Sequence, residues 1–551
     1  MWLKQVLPVL AALMGKSMVD AKAVFAHFIV GNVQAFSQAD WETDIATAQA
    51  AGIDGFALNI AAGDTSNGVS VQKAFDAADA KGFKLFFSFD YAAWGAWDKN
   101  AIVSYINTYK GRASYYLQGS QPLASTFEGP DNATDWFDIR SSTGAFFMPD
   151  YSSKGPQWAV NSGVVDGLFS WDAWPDGASD MTTATDQLYK NVLGGKPYMM
   201  PVSPWFFANV YNKAWVWRGE DLWYDRWQQV LQVQPELVEI ITWNDYGESH
   251  YIGPLWDSEM GLFVSGNAPF NYAAGHPHDG WRLFLPYLIQ QYKTGSATIS
   301  QEGLSTWYRL NPNTACTADV TGNDPAGHGQ QYVDPALVLQ DRVFYSALLG
   351  SSATVSVSIG GVVQQGTWEN VPAGGAGIYH GSVPFNGGTG QVVVTISRNG
   401  VTISEVLGAS ITTSCESGIE NWNAWVGSAT GAAPSLPGTT ITTSTTSTTT
   451  SSTTTTTTPP GQQVCVSGVG SGNYQGLCSF SCSYGYCPAG VCTCTAFGTQ
   501  RAPPPSTGQK GYPLAGLPDR CSYLGLCSFV YDHGYYPDTA CSSDPAGASG
   551  C

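Results

Sequence analysis

Basic residues are scarce in this 551-residue chain: 24 Lys and Arg stand against 43 Asp and Glu, for a formal net charge of -19. A protein that grips a phosphate backbone or an anionic bilayer needs a basic face, so nucleic acid and membrane surfaces are excluded as partners. Charge of either sign is low too, at 12% of residues. Beyond the N-terminal segment, nothing approaches the roughly 18 consecutive apolar residues of a membrane span. Residues 24–295 contain no cysteine, no G-x-S-x-G elbow, no HExxH and no phosphate-binding glycine loop. Thiol, serine-hydrolase, zinc-protease and nucleotide chemistry therefore leave the field.

What the chain has in abundance is aromatic surface: 20 Trp, 27 Tyr and 24 Phe. That is more than a core absorbs, and stacking on a flat, uncharged polymer is an outlet for the rest. Its 12 cysteines are unevenly placed, with Cys316 and Cys415 alone and ten crowded into 465–551. Such density reads as a disulfide framework formed in an oxidising compartment. Zinc is the competing reading, but the tail has only His533 and no paired CxxC modules. Residues 1–23 read as a secretion signal, with Lys4 before VLPVLAALM and a small-x-small site at Ala21-Lys22-Ala23. Cleavage near Gly15 is the alternative, and either way the product is expected outside the cell.

From 24 to 295 eight short apolar runs alternate with helical patterns: VFAHFIV (24–30), IDGFALNI (53–60), FKLFFSFD (83–90), ASYYLQG (113–119), AFFMPD (145–150), VDGLFSW (165–171), YMMPVSP (198–204) and LVEIITW (237–243). Ser37 and Asp40 make a capping box for a first helix that stops at Gly52. Eight such units predict an α/β fold, a (β/α)8 TIM barrel whose chemistry sits at the C-terminal ends of the strands. Residues 296–434 alternate as strands and predict a β-sandwich. Cys316 and Cys415, its only cysteines, are expected to pair. The Ser/Thr tract 435–460 resembles an O-glycosylated linker. In 461–551 GLCSF occurs at 476–480 and again at 525–529, which predicts two copies of one module. Cys478 and Cys492 have counterparts in the second copy and are candidates for a shared bridge, whereas Cys482, Cys487 and Cys494 have none.

The end of the eighth run carries TWNDYGES (242–249), with Asp245 and Glu248 among aromatic and small residues. Paired carboxylates in such a setting are the equipment of glycoside hydrolysis. In an extended segment, residues three apart stand about 10 Å apart. That leans toward inversion, which needs roughly 6.5–9.5 Å between carboxyl groups against about 5 Å for retention. Loop capping is the alternative for both acids. Other strand ends offer Asn59, Asp90, Glu128, Asp172 and Asn209, although Asp90 serves equally well as a turn former. Trp171, Trp174, Trp205, Trp215 and Trp217 gather on or after the sixth and seventh strands, as stacking platforms or as core. Trp243, Asn244 and Tyr246 complete the expected substrate-contacting set. His27, inside a strand, reads as a packed barrel residue, and Asp54, at a strand start, as structural. Asn132-Ala-Thr is a glycosylation sequon.

VFAHFIVGN, AGIDGFALNI, FFSFDYAAW, STFEG, GLFSWDAWP and above all ITWNDYGESHYIGP resemble glycoside hydrolase family 71, the largely fungal α-1,3-glucanases or mutanases. The tail from CVSGVGSGNYQGLCSF onward resembles a family 24 α-1,3-glucan-binding module. The resemblance implies a secreted, inverting endo-hydrolase of insoluble α-1,3-glucan, with Asp245 and Glu248 catalytic and no metal or organic cofactor. Glu248 is the expected general acid and Asp245 the base, with the reverse assignment open. The chain is expected to be a monomer. Tyr484, Tyr486, Tyr535 and Tyr536 are the expected sugar contacts of the tail, with core packing as the equal alternative. A glucanase of another linkage specificity and a non-catalytic wall lectin are the rival readings.

Overall fold

The computed structural model describes residues 22–325, 327, 329–431, 464–470, 474–488, 491–498, 503, 509–514, 517, 523–533, 537 and 540–544. Most of the expected signal, all of the 435–460 linker, and Tyr535 and Tyr536 lie outside the described residues. The chain divides into two compact units, 1–439 and 440–551. Among the described residues, no helix is long and apolar enough to cross a membrane.

The first unit is built on a curled parallel sheet of β1 (Ala23–Ile29), β2 (Gly55–Ala61), β3 (Lys84–Asp90), β4 (Gln121–Phe127), β5 (Phe146–Phe147), β6 (Leu168–Phe169), β7 (Tyr198–Val202) and β8 (Leu237–Ile240). Its order is β4-β3-β2-β1-β8-β7-β6, with β5 on the far side of β4. Single parallel bridges, Phe127 to Asp150 and Asp150 to Phe169, run from the end of β4 toward the end of β6. Burial on both faces explains why the strands read as continuous apolar runs. Helices α1 (Gln38–Ala50), α2 (Asn67–Lys81) and α3 (Lys99–Tyr109) follow the first three strands. Ser37 and Asp40 form the expected capping box on α1.

The fourth strand is not ASYYLQG. Tyr116 makes one backbone bond to Leu85, and Leu117–Gln118 folds back antiparallel on the start of β4. Gln121–Phe127 is the strand, so Glu128 follows it directly.

After residue 295 come two four-stranded antiparallel sheets. The first is ordered Gly377–Pro384, Arg342–Leu349, Gly303–Arg309, Ala424–Thr430; the second Val362–Gln365, Thr354–Ile359, Gly390–Arg398, Val401–Ile411. Three strands of the first sheet, Gly377–Pro384, Arg342–Leu349 and Gly303–Arg309, are buried on both faces, while Ala424–Thr430 at its edge is only partly so. Trp307, Phe344, Leu348 and Val426 join the core beneath the parallel sheet, while Leu304, Tyr308, Val343 and Tyr345 join the core between the two sheets. Trp307 Nε1 donates to the Glu220 carbonyl at 2.7 Å, and Trp205 Nε1 to that of Trp422 at 3.0 Å. The core therefore runs unbroken across residue 295. Cys316 and Cys415 are bridged as expected.

In the second unit, helices Tyr474–Ser483 and Leu524–Asp532 belong to the two copies. Cys478–Cys492 and Cys527–Cys541 are equivalent bridges, each spanning 14 positions. Cys465–Cys494 and Cys482–Cys487 belong to the first copy alone, so the cluster of Cys465, Cys482 and Cys487 is disulfide-bonded rather than zinc-binding. The equivalent residues Tyr474 and Tyr523 stack at 3.9 Å, and Leu477 and Leu526 are both buried, so the copies share one core. Tyr486 lies on Phe529 at 4.7 Å and Tyr484 against Phe480 at 5.1 Å, so both rings are partly spent on packing.

Burial raises several carboxyls of the first unit: Asp44 and Glu220 to about 7, Asp150 and Glu420 to about 8. Each takes up a proton on folding between the ordinary carboxylate range and its raised value. The stability they favour is fully present near pH 4 and is lost as pH climbs through about 7 to 8. The thermal midpoint should therefore fall from pH 4 to pH 8, read by scanning calorimetry; a rise across that window would contradict the assignment.

Candidate active site

Beyond β8 the chain does not stay extended. The Thr242 amide donates to the His250 carbonyl at 3.0 Å and the Ile252 amide to the Thr242 carbonyl at 3.0 Å, so 242–252 closes on itself. The Trp243 amide ties this loop to β1 through the His27 carbonyl at 2.7 Å. Inside the loop, the Asp245 amide donates to Thr242 Oγ1 and the Glu248 amide to Asp245 Oδ1, both at 2.9 Å. These local bonds fold a turn that an extended segment would not make. As a result Asp245, Glu248 and His250 each place one polar atom within 4.8 Å of the others. The extended segment expected here, with about 10 Å between the two residues at the backbone, is replaced by this turn.

Two outside contacts hold the turn from behind. The Phe207 amide donates to the Glu248 carbonyl at 3.1 Å, and the Tyr272 hydroxyl to the Gly247 carbonyl at 2.6 Å. Phe207 belongs to a hairpin, Phe206–Val210 with Lys213–Trp217, inserted after β7. That hairpin also delivers Lys213, whose ammonium pairs with Glu248 Oε1. Glu248 Oε2 meets His250 Nε2 at 2.8 Å, and His250 Nδ1 meets Thr242 Oγ1 at 3.0 Å. The chain of bonds is satisfied when the Thr242 hydroxyl donates to Nδ1 and Nε2–H donates to Glu248.

The two acids are driven apart electrostatically. Burial alone would raise Glu248, but the Lys213 charge and the His250 contact overrule it and hold the carboxyl well below the usual range. Burial, and then the negative charge of Glu248, raise Asp245. A proton shared by the pair is therefore favoured on Asp245 and the charge on Glu248, the order of the reverse assignment left open above. Asp245, Glu248 and His250 have the donor types of a cation site. The Lys213 ammonium already neutralises Glu248, so the geometry is that of an ion pair rather than a metal cage.

The other expected site residues separate into two groups. Asp90 ends β3, takes the Ala92 and Ala93 amides on Oδ1 at 2.7 and 2.9 Å, and its charge reaches Lys213. Glu128 accepts the Ser153 amide at 2.9 Å just past β4. Trp171 is half-buried, edge-on to His27 at 4.9 Å and to Phe127 at 4.7 Å. Asn59 is buried near the end of β2, with 6% of its surface exposed. Trp217 stacks on Trp174 at 5.2 Å, and Trp174 on His250 at 5.4 Å, forming an aromatic wall behind the acids.

Four residues expected to touch substrate are instead turned into the protein. Trp205 is held by Trp422, Trp243 donates to Asp44 at 2.9 Å, and the Tyr246 hydroxyl donates to the Pro254 carbonyl at 2.8 Å. Asn244 exchanges bonds with the Ile29 backbone at 2.8 and 3.0 Å. All four are buried, their polar atoms finding partners only inside, and Trp243, Asn244 and Tyr246 brace the loop. Asp172 feels Thr185 and Arg226 rather than the acid pair, and burial raises it. His27 pairs with Glu239 at 2.7 Å in the sheet interior. Asp54 receives the Val24 amide at 2.8 Å and pairs with Lys293 at the start of β2, the end away from the acids.

Lys213, His250, Thr242 and Asp44 are the residues that sequence reasoning passed over. His250 and Thr242 belong to or adjoin TWNDYGES and could have been found there. Asp44 lies on the buried face of α1, where an acid without a partner would be costly, and that burial was a usable signal.

Glycosyl hydrolase family 71 matches residues 20–438 of the chain. A mutanase of Penicillium rubens is 36% identical over 428 residues, which cover 75% of this chain and 90% of that protein. The glucan endo-1,3-alpha-glucosidase agn1 of Schizosaccharomyces pombe is 34% identical over 427 residues, 74% of this chain and 94% of its own. Among solved structures, a GH99 endo-alpha-mannosidase of Bacteroides thetaiotaomicron covers 48% of this chain and 80% of its own at 14% identity and a TM-score of 0.35.

Proposed function

The chain belongs to glycosyl hydrolase family 71, and we propose from this and the site that it is an endo-α-1,3-glucanase acting on α-1,3-glucan. The observation that carries the chemistry is the carboxyl pair beyond β8, its side-chain atoms within 4.8 Å, with Asp245 raised and Glu248 lowered. A pair pushed apart in this way supplies one proton donor and one ionised partner at the same pH. Asp245 gives its proton to the glycosidic oxygen as the C1–O bond breaks, and Glu248 takes a proton from the water that attacks C1 from the other face. The departing sugar leaves with a free 3-hydroxyl, and the new reducing end carries the inverted, β configuration. Asp90, Glu128 and Trp171 are the proposed substrate contacts, with Asn59 and Trp217 behind them.

The closed (β/α)8 barrel belongs to the same reading, and the two single bridges through Asp150, from the end of β4 toward the end of β6, support it. So do the sandwich, a monomeric state, release outside the cell and a glucan-binding role for 461–551.

A second stereochemical reading has a specific observation behind it. With the acids within 4.8 Å, the spacing is closer to that of retaining enzymes, and Glu248 would be the nucleophile. Proton NMR of the first reducing ends separates the two. Inversion is expected, with β-anomers appearing first and mutarotating later; initial α-anomers would establish retention and overturn the single-displacement route.

A further inference from the structure

The loop after β3 carries a tryptophan that neither the core nor the acid pair uses. Its root is fixed: Asp90 holds the Ala92 and Ala93 amides, and the buried Trp97 donates through Nε1 to the Asp90 carbonyl at 3.0 Å. Between these anchors Trp94 is 71% exposed, the most exposed Trp among the described residues. Leaving an indole in water forgoes much of the burial that makes Trp stabilising, so the position is costly unless something covers it.

Trp94 is also supported from one side. A Cβ built on Gly63, in the loop after β2, would lie 3.1 Å from Trp94 Cβ, 3.2 Å from Cγ and 3.3 Å from Cδ2. The indole root therefore rests against bare glycine backbone, which leaves the rest of the ring to solvent. Both loops leave the C-terminal ends of adjacent parallel strands, the end that carries Asp245 and Glu248. The charge of Asp90, four positions before Trp94, reaches Lys213 of the acid site. The ring thus stands on the rim of the same mouth.

We propose that Trp94 is a stacking platform for a glucosyl unit of the α-1,3-glucan chain, at a distance from the bond being cut. The apolar C–H face of a pyranose matches an indole face. This rests on the proposed function. A platform remote from the reacting atoms binds ground state and transition state alike, so it sets KM for chains long enough to reach it and leaves kcat alone.

The test uses the full chain, with α-1,3-gluco-oligosaccharides of increasing length and insoluble α-1,3-glucan. Trp94→Ala should raise KM about tenfold for long oligomers, equivalent to about 1.4 kcal/mol. The shortest oligomers cleaved should be unaffected, and kcat and the thermal midpoint should stay at wild-type values. Trp94→Phe should recover most of the loss. Gly63→Val keeps the indole but displaces it, and should reproduce the length-dependent defect. Wild-type kinetics in Trp94→Ala at every length, or a loss independent of length, would overturn the platform while the proposed function stands. A wild-type enzyme that leaves all α-1,3-oligomers intact would overturn the function, and the platform with it.

Discussion

Asp245→Asn and Glu248→Gln should each lower kcat on α-1,3-glucan by about 10³-fold, within the range lost with a general acid or base. The two variants should differ in stability. Asparagine keeps an acceptor for the Glu248 amide and removes a carboxyl whose ionised form burial and Glu248 disfavour. Asp245→Asn should therefore melt at or above the wild-type midpoint. Glutamine at 248 leaves Lys213 and His250 facing a neutral amide, and the lost ion pair should cost about 1 kcal/mol because Lys213 is partly solvated. Calorimetry and initial rates on the same preparations check both halves. A large loss of rate in a variant that has also unfolded would count for nothing. A folded variant with wild-type kcat would return Asp245 and Glu248 to the role of turn formers.

Lys213→Met carries the second large effect, although the residue touches no reacting atom in the proposed mechanism. Its ammonium opposes the burial of Glu248, so removing it lets that carboxyl rise toward Asp245. Two carboxyls of similar affinity share one proton and no longer divide the roles of acid and base cleanly. The rate should fall about 10²-fold near the wild-type optimum. The acid limb of the kcat profile should also move to higher pH, because Glu248 must now be deprotonated at a higher value. Lys213→Arg should restore most of the rate and the position of the limb. A merely structural lysine would change the midpoint and leave the limb where it was, and that result would remove Lys213 from the mechanism.

Several parts of the molecule were legible in the residues alone because their causes are local. The α1 capping box needs only Ser37 and Asp40, and the repeated GLCSF with its matched cysteines gave the Cys478–Cys492 bridge and its echo at Cys527–Cys541. The fourth strand was missed for a local reason too: QPLASTF carries a proline at its second position and the small hydroxyl residues Ser125 and Thr126 near its end, which read as loop, while YYL reads as strand. The acids were found because they follow an apolar run at a strand end. Their separation was not, because it depends on one bond from the Glu248 amide to Asp245. Lys213 left no trace in sequence, since it reaches Glu248 only through the pairing of Lys213 with Val210 across the hairpin. The sheet shared between two cores was equally hidden. GLSTWYR is buried at every position and gives no sign of which face meets which core, whereas TVSVSI alternates as a strand with one buried face should.

The central claim is that this acid pair cuts α-1,3-linked glucan. The measurement that tests it most directly is a time course of reducing-end release from insoluble α-1,3-glucan and from β-1,3-glucan under identical conditions, with the product linkage read by NMR. Release of α-1,3-linked oligosaccharides from the first polymer and none from the second is the predicted result. Release from the β-linked polymer, or from neither, would contradict it.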